Sequence, residues 1–397
     1  MPRSTSRALS DLHRDLQDAR TRLAAADSTI VRTQVALSQI PAPTGAEGAR
    51  AIWLAARFTA LGLSNVHVDA AGNAIGERPG HAAGPPVAVI AHLDTAFPAG
   101  TAVEVRRDGD RLMGPGIGDN ARGVAVMLAL AGEFGVATLT RRTVVFVGTT
   151  GEEGTGDLSG AKHFFSRCNT LPHAAIALDG AGDERVVHAA VGSRRLRATF
   201  HGPGGHSWTA YGVPNAAHAA ARAAVAIASV SLPSKPRTTL SICRFGGGIA
   251  VNAIPAESWL EIDIRSMSPV ALGRAETETR SALAAAAADE NSARASGAPI
   301  LTVDTSVIGD RPCGETPDVH PLVQTAVQAT RLAGREPVLG AASTDANVPI
   351  SLGIPSVAIG AGGRGGWVHT LEEWYENVGG PSGVGRALLL VAAAAKL

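Results

Sequence analysis

Residues 87–93 (VAVIAHL), 143–148 (TVVFVG) and 174–178 (AAIAL) are short, nearly continuous apolar runs. Between the first two, Arg122 to Phe134 carries a helical pattern with no breaker. Unbroken apolar runs alternating with helix read as β–α–β, the pattern of a largely parallel sheet covered on both faces. A fourth run, 354–359 (IPSVAI), follows an amphipathic segment at His320 to Ala333 and is expected to join the same sheet.

The stretch from about 192 to 306 has a different rhythm. It predicts strand 196–200 (LRATF), an Ala-rich helix over 214–230, strands 239–245 and 259–265, a helix over 269–290 and strand 300–305. From Leu260 to Arg265 apolar and charged residues alternate, as on a half-exposed antiparallel strand. The order β-α-β-β-α-β is the ferredoxin-like unit. The expected fold is therefore an α/β catalytic domain with a largely parallel sheet, over 1–191 and 307–397, interrupted by a ferredoxin-like α/β lid at 192–306. The Ala-rich run at 283–288 fits a helix, since alanine is the best helix former. No internal repeat is evident.

Composition supports two domains: 397 residues at 45% hydrophobic exceed what one core usually holds. Lys+Arg and Asp+Glu both total 35, so no global field exists to draw nucleic acid or an anionic membrane. Only Lys162, Lys235 and Lys396 are lysines, a bias that carries no function. Cys168, Cys243 and Cys313 are odd in number and far apart, so they are expected to be buried thiols in a reducing compartment. The N-terminal segment interleaves charges and has no apolar core of a signal peptide, and no window reaches ~18 apolar residues. A soluble, cytoplasmic protein is expected.

The chemistry gathers at predicted strand ends. His92 and Asp94 close the first run, Glu152 and Glu153 follow the second, and Asp179 follows the third. Ligand sites in open parallel sheets form outside those carboxyl ends. One isolated carboxylate there is more often a helix cap, but three consecutive strand ends carrying His or acid make capping a poor account. Zinc takes imidazole and carboxylate ligands, and a two-metal site needs a shared carboxylate across ~3.5–4 Å. Asp119, in the glycine-rich turn GPGIGDNARG, fits that bridge, although a helix cap is its bland alternative. His369 follows the glycine-dense AGGRGGWVHT, where small residues let backbone approach a site closely; alone it reads as a surface histidine. Adjacent acids repel, so Glu152 and Glu153 suggest a division between general base and ligand. Asp94 is placed to accept the other ring N–H of His92 and fix its tautomer.

These residues resemble the M20 metallopeptidases, the co-catalytic dizinc aminopeptidases, dipeptidases, carboxypeptidases and N-acyl amino acid deacylases. The resemblance runs from about residue 85 to the end through AHLDT (91–95), GIGDN (116–120), GEEG (151–154), ALDG (177–180), GGHSW (204–208), VNAIP (251–255), STDAN (343–347) and VHT (368–370). It implies two divalent ions, zinc before cobalt or manganese: one held by His92 and Asp179, one by Glu153 and His369, with Asp119 bridging and a cis peptide often following it. It makes Glu152 the base that deprotonates the water, and His206 the stabiliser of the oxyanion, in several members from a neighbouring subunit. Asn252, Arg265 and Arg311 are implied substrate contacts, the arginines as carboxylate clamps. A homodimer built through the lid is also implied. The residues after Asp119 depart from the acid- or lysine-bearing versions of many members, and Trp208 stands where a small residue is frequent. The segments around GEEG and STDAN look most like the peptidase-T-like branch, and Asp at 179 leans toward peptidases. The expected activity is zinc-dependent hydrolysis of di- and tripeptides, with an N-acyl or N-carbamoyl amino acid amidohydrolase as the alternative.

Two rivals fare worse. Gly360 to Gly365 formally satisfies G-x-G-x-x-G, but it runs into Trp367-Val368-His369 with no helical pattern and no acid-ended strand at the required distance. A catalytically dead binding module would show a missing ligand or base, and all are present.

Overall fold

The computed structural model describes residues 3–136 and 140–396. The chain forms two compact units, the first of residues 1–190 and 315–397, the second Val191–Gly314.

At the centre of the first unit lies strand Val87–His92, every residue of it buried. It pairs in parallel with Val144–Thr149 on one side and Ala174–Leu178 on the other, and Ser356–Ile359 extends the parallel set beyond Ala174–Leu178. Flanking pairs are mixed: Ala74–Arg78 and Ser64–Val68 add antiparallel on one side, and Arg185–Ala190 runs antiparallel to Ser356–Ile359 on the other. Successive side chains of the central strand alternate between two cores. Val87, Val89 and Ala91 pack with helices Ala121–Val136 and Gly380–Lys396, whereas Ala88 and Ile90 pack with Leu158, Ala161 and Phe165. That two-sided burial explains why the run reads as continuously apolar.

Residues 3–38 form three helices, Arg3–Asp15, Gln17–Ala25 and Asp27–Ser38, which the charge-interleaved sequence hid. Leu9, Leu12, Leu16, Leu23, Ile30 and Leu37 are the apolar stripe that these helices bury against the larger core.

The second unit carries a four-stranded antiparallel sheet. Glu257–Ser266 lies between Thr238–Gly247 and Gly192–His201, and Thr302–Arg311 pairs the far edge of Gly192–His201. One face, with Leu196, Ala198, Phe200, Leu260, Ile262 and Ile264, packs against helices Ala216–Ala228 and Pro269–Ser292. The other face carries cross-strand ion pairs, Arg197 with Glu261 at 2.7 Å and Arg195 with Asp263 at 3.4 Å. Side chains start both helices: Asn215 accepts from the amide of Ala217, and Ser268 from that of Ala271.

Two expectations need correcting. The last strand runs on to Arg311 instead of ending at 305, because its ladder with Gly192–His201 continues to the Arg311–Ser193 pair; the unit therefore closes at Gly314, not 306. Of the three thiols Cys313 is buried, Cys168 is half-buried and Cys243 is exposed on an edge strand. No helix among the described residues is long and apolar enough to cross a membrane. Phe200 is fully buried in the second unit's own core. Phe200→Ala is expected to lower that unit's unfolding free energy by ~3–5 kcal/mol in denaturant titration while leaving metal binding by the first unit intact.

Candidate metal centre

Six predicted residues meet at one edge of the parallel sheet. His92 ends its strand, Glu152 and Glu153 follow Val144–Thr149, Asp179 follows Ala174–Leu178, and Asp119 precedes helix Ala121–Val136. His369 lies in the loop between strands Arg364–Gly366 and Trp374–Glu376. All belong to the first unit. Their ligand atoms form three overlapping groups, each within 4.8 Å: His92, Asp119, Asp179; His92, Glu152, Glu153; and Asp119, Glu153, His369.

Asp119 is the shared member. Its Oδ1 lies 2.9 Å from His92 Nε2, and its Oδ2 lies 3.3 Å from His369 Nε2, so each oxygen faces a different histidine. His369 Nε2 also lies 2.7 Å from Glu153 Oε1, and His92 Nε2 lies 3.9 Å from Asp179 Oδ1.

Electrostatics follow from that crowding. Burial favours the neutral form of Asp119, but hydrogen bonds with His369 and His92 outweigh it and hold the carboxyl well below its usual range. Asp179 is pushed up to about 7, first by burial and then by the charge of Asp119. His369 is raised to about 10 by its bonds to Asp119 and Glu153; His92, despite burial, is held well above its ordinary value by Asp119 and Asp94. The two imidazoles thus hold their protons where carboxylates face them. A donor set of imidazole nitrogens and carboxylate oxygens that stabilises positive charge this strongly fits zinc-type divalent cations.

Residues around the cluster are held by backbone groups. The carboxylate of Asp94 accepts the amides of Glu152 and Glu153, at 2.9 and 2.8 Å, and the hydroxyl of Thr44 at 3.0 Å. His92 Nδ1 is nearest the Asp94 carbonyl, at 3.1 Å, with the carboxylate at 3.5 Å. The expected tautomer role of Asp94 therefore falls mainly to its backbone, while its side chain fixes the turn that aims both glutamates.

Two supports were not foreseen. Glu373, fully buried, accepts the amides of Gly116, Gly118 and Asp119, each at 2.9 Å, and so fixes the turn that carries Asp119. Asn120, also buried, accepts the amides of Gly123 and Gly180 and donates to the carbonyl of Leu178. It starts the helix in place of Asp119, whose carboxylate stays available, and it ties Asp119 to the strand end bearing Asp179. Asp119–Asn120 is a cis peptide. His369 takes a left-handed backbone (φ 65°), as does Trp367 (φ 55°), a conformation usually left to glycine, Asn or Asp. The glycine motif at 360–365 continues into strand Arg364–Gly366, not into a helix.

The other predicted residues belong to the second unit and divide between its ends. His206 and Asn252 line one cavity of about 760 Å³, with Ser207 donating to the Asn252 carbonyl. Arg265 and Arg311 both sit opposite Ser193 on flanking strands. The cavity lies beside the His201 end of that strand, eight residues or about 26 Å from Ser193. Arg265 donates to Asp263 at 2.6 Å, and Arg311 is buried.

Comparison with known proteins gives family matches over parts of the chain and relatives in fold. Residues 73–225 match the peptidase family M28 model, and 188–291 match the M20 peptidase dimerisation domain. Among solved structures, aminopeptidase PepT of Bacillus cereus is similar at 24% identity and TM-score 0.75, over 92% of this chain and 98% of that one. A tripeptidase of Staphylococcus aureus is similar at 24% and 0.74, over 92% and 98%. The YXEP protein of Bacillus subtilis, described as a dinuclear metal-binding peptidase of the M20 family, is similar at 15% and 0.68, over 94% and 99%. The family models thus relate these two segments of the chain to peptidases, and the solved structures share its fold.

Asp94→Asn removes one of the two carboxylate oxygens that accept the glutamate amides. It is expected to lower metal affinity or turnover ~10–100-fold, measured by metal titration and steady-state kinetics, with the circular dichroism spectrum unchanged.

Proposed function

We propose that the protein hydrolyses peptide bonds of di- and tripeptides, using two zinc ions bound by His92, Asp119, Asp179, Glu153 and His369. The observation that carries this reading is Asp119, whose two oxygens face the histidines of two separate donor groups. Two divalent ions bound there would polarise the scissile carbonyl and acidify the attacking water. Glu152, on the turn fixed by Asp94, takes the water's proton and returns it to the amine as the C–N bond breaks. His206 donates a hydrogen bond to the developing oxyanion. The aminopeptidase and tripeptidase names of structural neighbours support the peptide substrate.

A homodimer belongs to this reading. His206 and Asn252 are separated from Arg265 and Arg311 by about 26 Å of strand, well beyond the ~10 Å of an extended tripeptide. If both sets touch one substrate, a partner copy supplies one of them. Support comes from the dimerisation-domain match and from Trp208, Tyr211, Ile249 and Val251, large apolar side chains left exposed on this unit. A cytoplasmic setting is supported by three free thiols.

Glu152→Gln should keep both metals, measured by elemental analysis, while kcat falls ~10²–10⁴-fold; Glu153→Gln should lose metal. Identical behaviour of the two variants would contradict the division of roles. His206→Ala should lower kcat ~10²–10³-fold at unchanged metal content, whereas near-wild-type turnover would make His206 an ordinary surface histidine. Assaying zinc-loaded protein against tripeptides, dipeptides and N-acetyl amino acids tests the substrate class, and turnover of the last group alone would replace peptidase with deacylase.

A further inference from the structure

Beside the metal-centre residues, the first unit has a cavity of about 510 Å³ whose lining includes both Asp119 and Asp179. A substrate group next to the scissile bond has room there. Six other charged side chains also line it, and their pairing decides what it selects. Asp183 is taken by Arg335, at 2.9 Å. Arg185 donates to the carbonyl of Ala341 at 2.7 Å. Glu373 is engaged by its three backbone amides. Glu184 lies close enough to Arg335 to act on its charge. That leaves Arg364.

Arg364 is exposed, lines the cavity, and has no carboxylate within ion-pair distance among the described residues. Its cross-strand neighbour, Glu376, leans instead toward Arg111, at 3.8 Å. The short ladder between Arg364–Gly366 and Trp374–Glu376 fixes the backbone that presents it. The cavity thus has metal-ligand carboxylates at one place and an uncompensated guanidinium at another. A planar fork of donors suits a carboxylate held bidentately.

We infer that Arg364 is a specificity-determining residue that binds a carboxylate of the substrate in this cavity. The inference rests on the hydrolase reading of the adjoining site. The carboxylate is either the C-terminus of a short peptide or an acidic side chain flanking the scissile bond.

The test uses zinc-loaded protein and matched substrate pairs: Ala-Ala-Ala against its C-terminal amide, Asp-Ala-Ala against Asn-Ala-Ala, and Ala-Asp-Ala against Ala-Asn-Ala. Wild type is expected to favour the acid over the amide in at least one pair by about tenfold in kcat/KM, mostly through KM. In Arg364→Gln that ratio should fall to near one, and Arg364→Lys should restore part of it. The pair whose ratio collapses identifies the source of the carboxylate. Unchanged ratios in Arg364→Gln overturn the inference. If wild type cleaves none of these peptides, the hydrolytic reading fails by itself, and calorimetric titration of the same pairs decides about Arg364. A wild-type affinity ratio that Arg364→Gln abolishes supports it; equal affinities for acid and amide overturn it.

Discussion

Asp119 is confronted from both sides by imidazole and flanked by Asp179, Glu152 and Glu153; both glutamates and His92 are buried, and Asp119 and Asp179 are half-buried. Like charges this close and this buried are tolerated only when something positive is shared among them. The surrounding architecture follows from that requirement. Every acid that is not a proposed ligand or base has been given another occupation: Asp94 receives the glutamate amides, and Glu373 receives the amides of the Asp119 turn. These supporting acids hold backbone in place and leave the central oxygens of Asp119 directed at the histidines.

A rigid sheet makes the arrangement possible. Strands 87–92, 144–149 and 174–178 are in parallel register and buried on both faces, so their ends emerge side by side at fixed spacing. The remaining donors come on turns, which need outside help. Asn120 anchors one turn to the Leu178 carbonyl and the Gly180 amide, and Arg50 donates to the Leu93 carbonyl between His92 and Asp94. Burial lowers the Arg50 pKa to about 10, the expense of placing a guanidinium where it can hold a strand end. Such supports explain how a site built from five separate chain segments keeps its geometry.

Much of this was legible in the residues. Continuous apolar runs marked the central strands, and period-two alternation at 260–265 marked the inserted sheet. What stayed hidden was whatever depends on partners far away in sequence. Helices over 3–38 were masked by surface charge, although Leu9, Leu12 and Leu16 recur at helical spacing. Glu373 had a readable signal, since Glu372-Glu373 is an adjacent acid pair three and four residues past His369, the same pattern that singled out Glu152-Glu153. Its three backbone partners, at 116–119, were not readable. Asn120 was overlooked because its acidic neighbour was weighed for the capping role that Asn120 performs. The split of His206 and Asn252 from Arg265 and Arg311 depends on strand register, which the alternation pattern leaves open.

The central claim is that one carboxylate joins two metal sites. Zinc titration of metal-free protein by calorimetry, repeated with Asp119→Ala, tests it most directly. The account predicts two ions per chain for wild type and a large loss of affinity at both sites in the variant. Saturation of wild type at one ion, or two undiminished sites in Asp119→Ala, would contradict it.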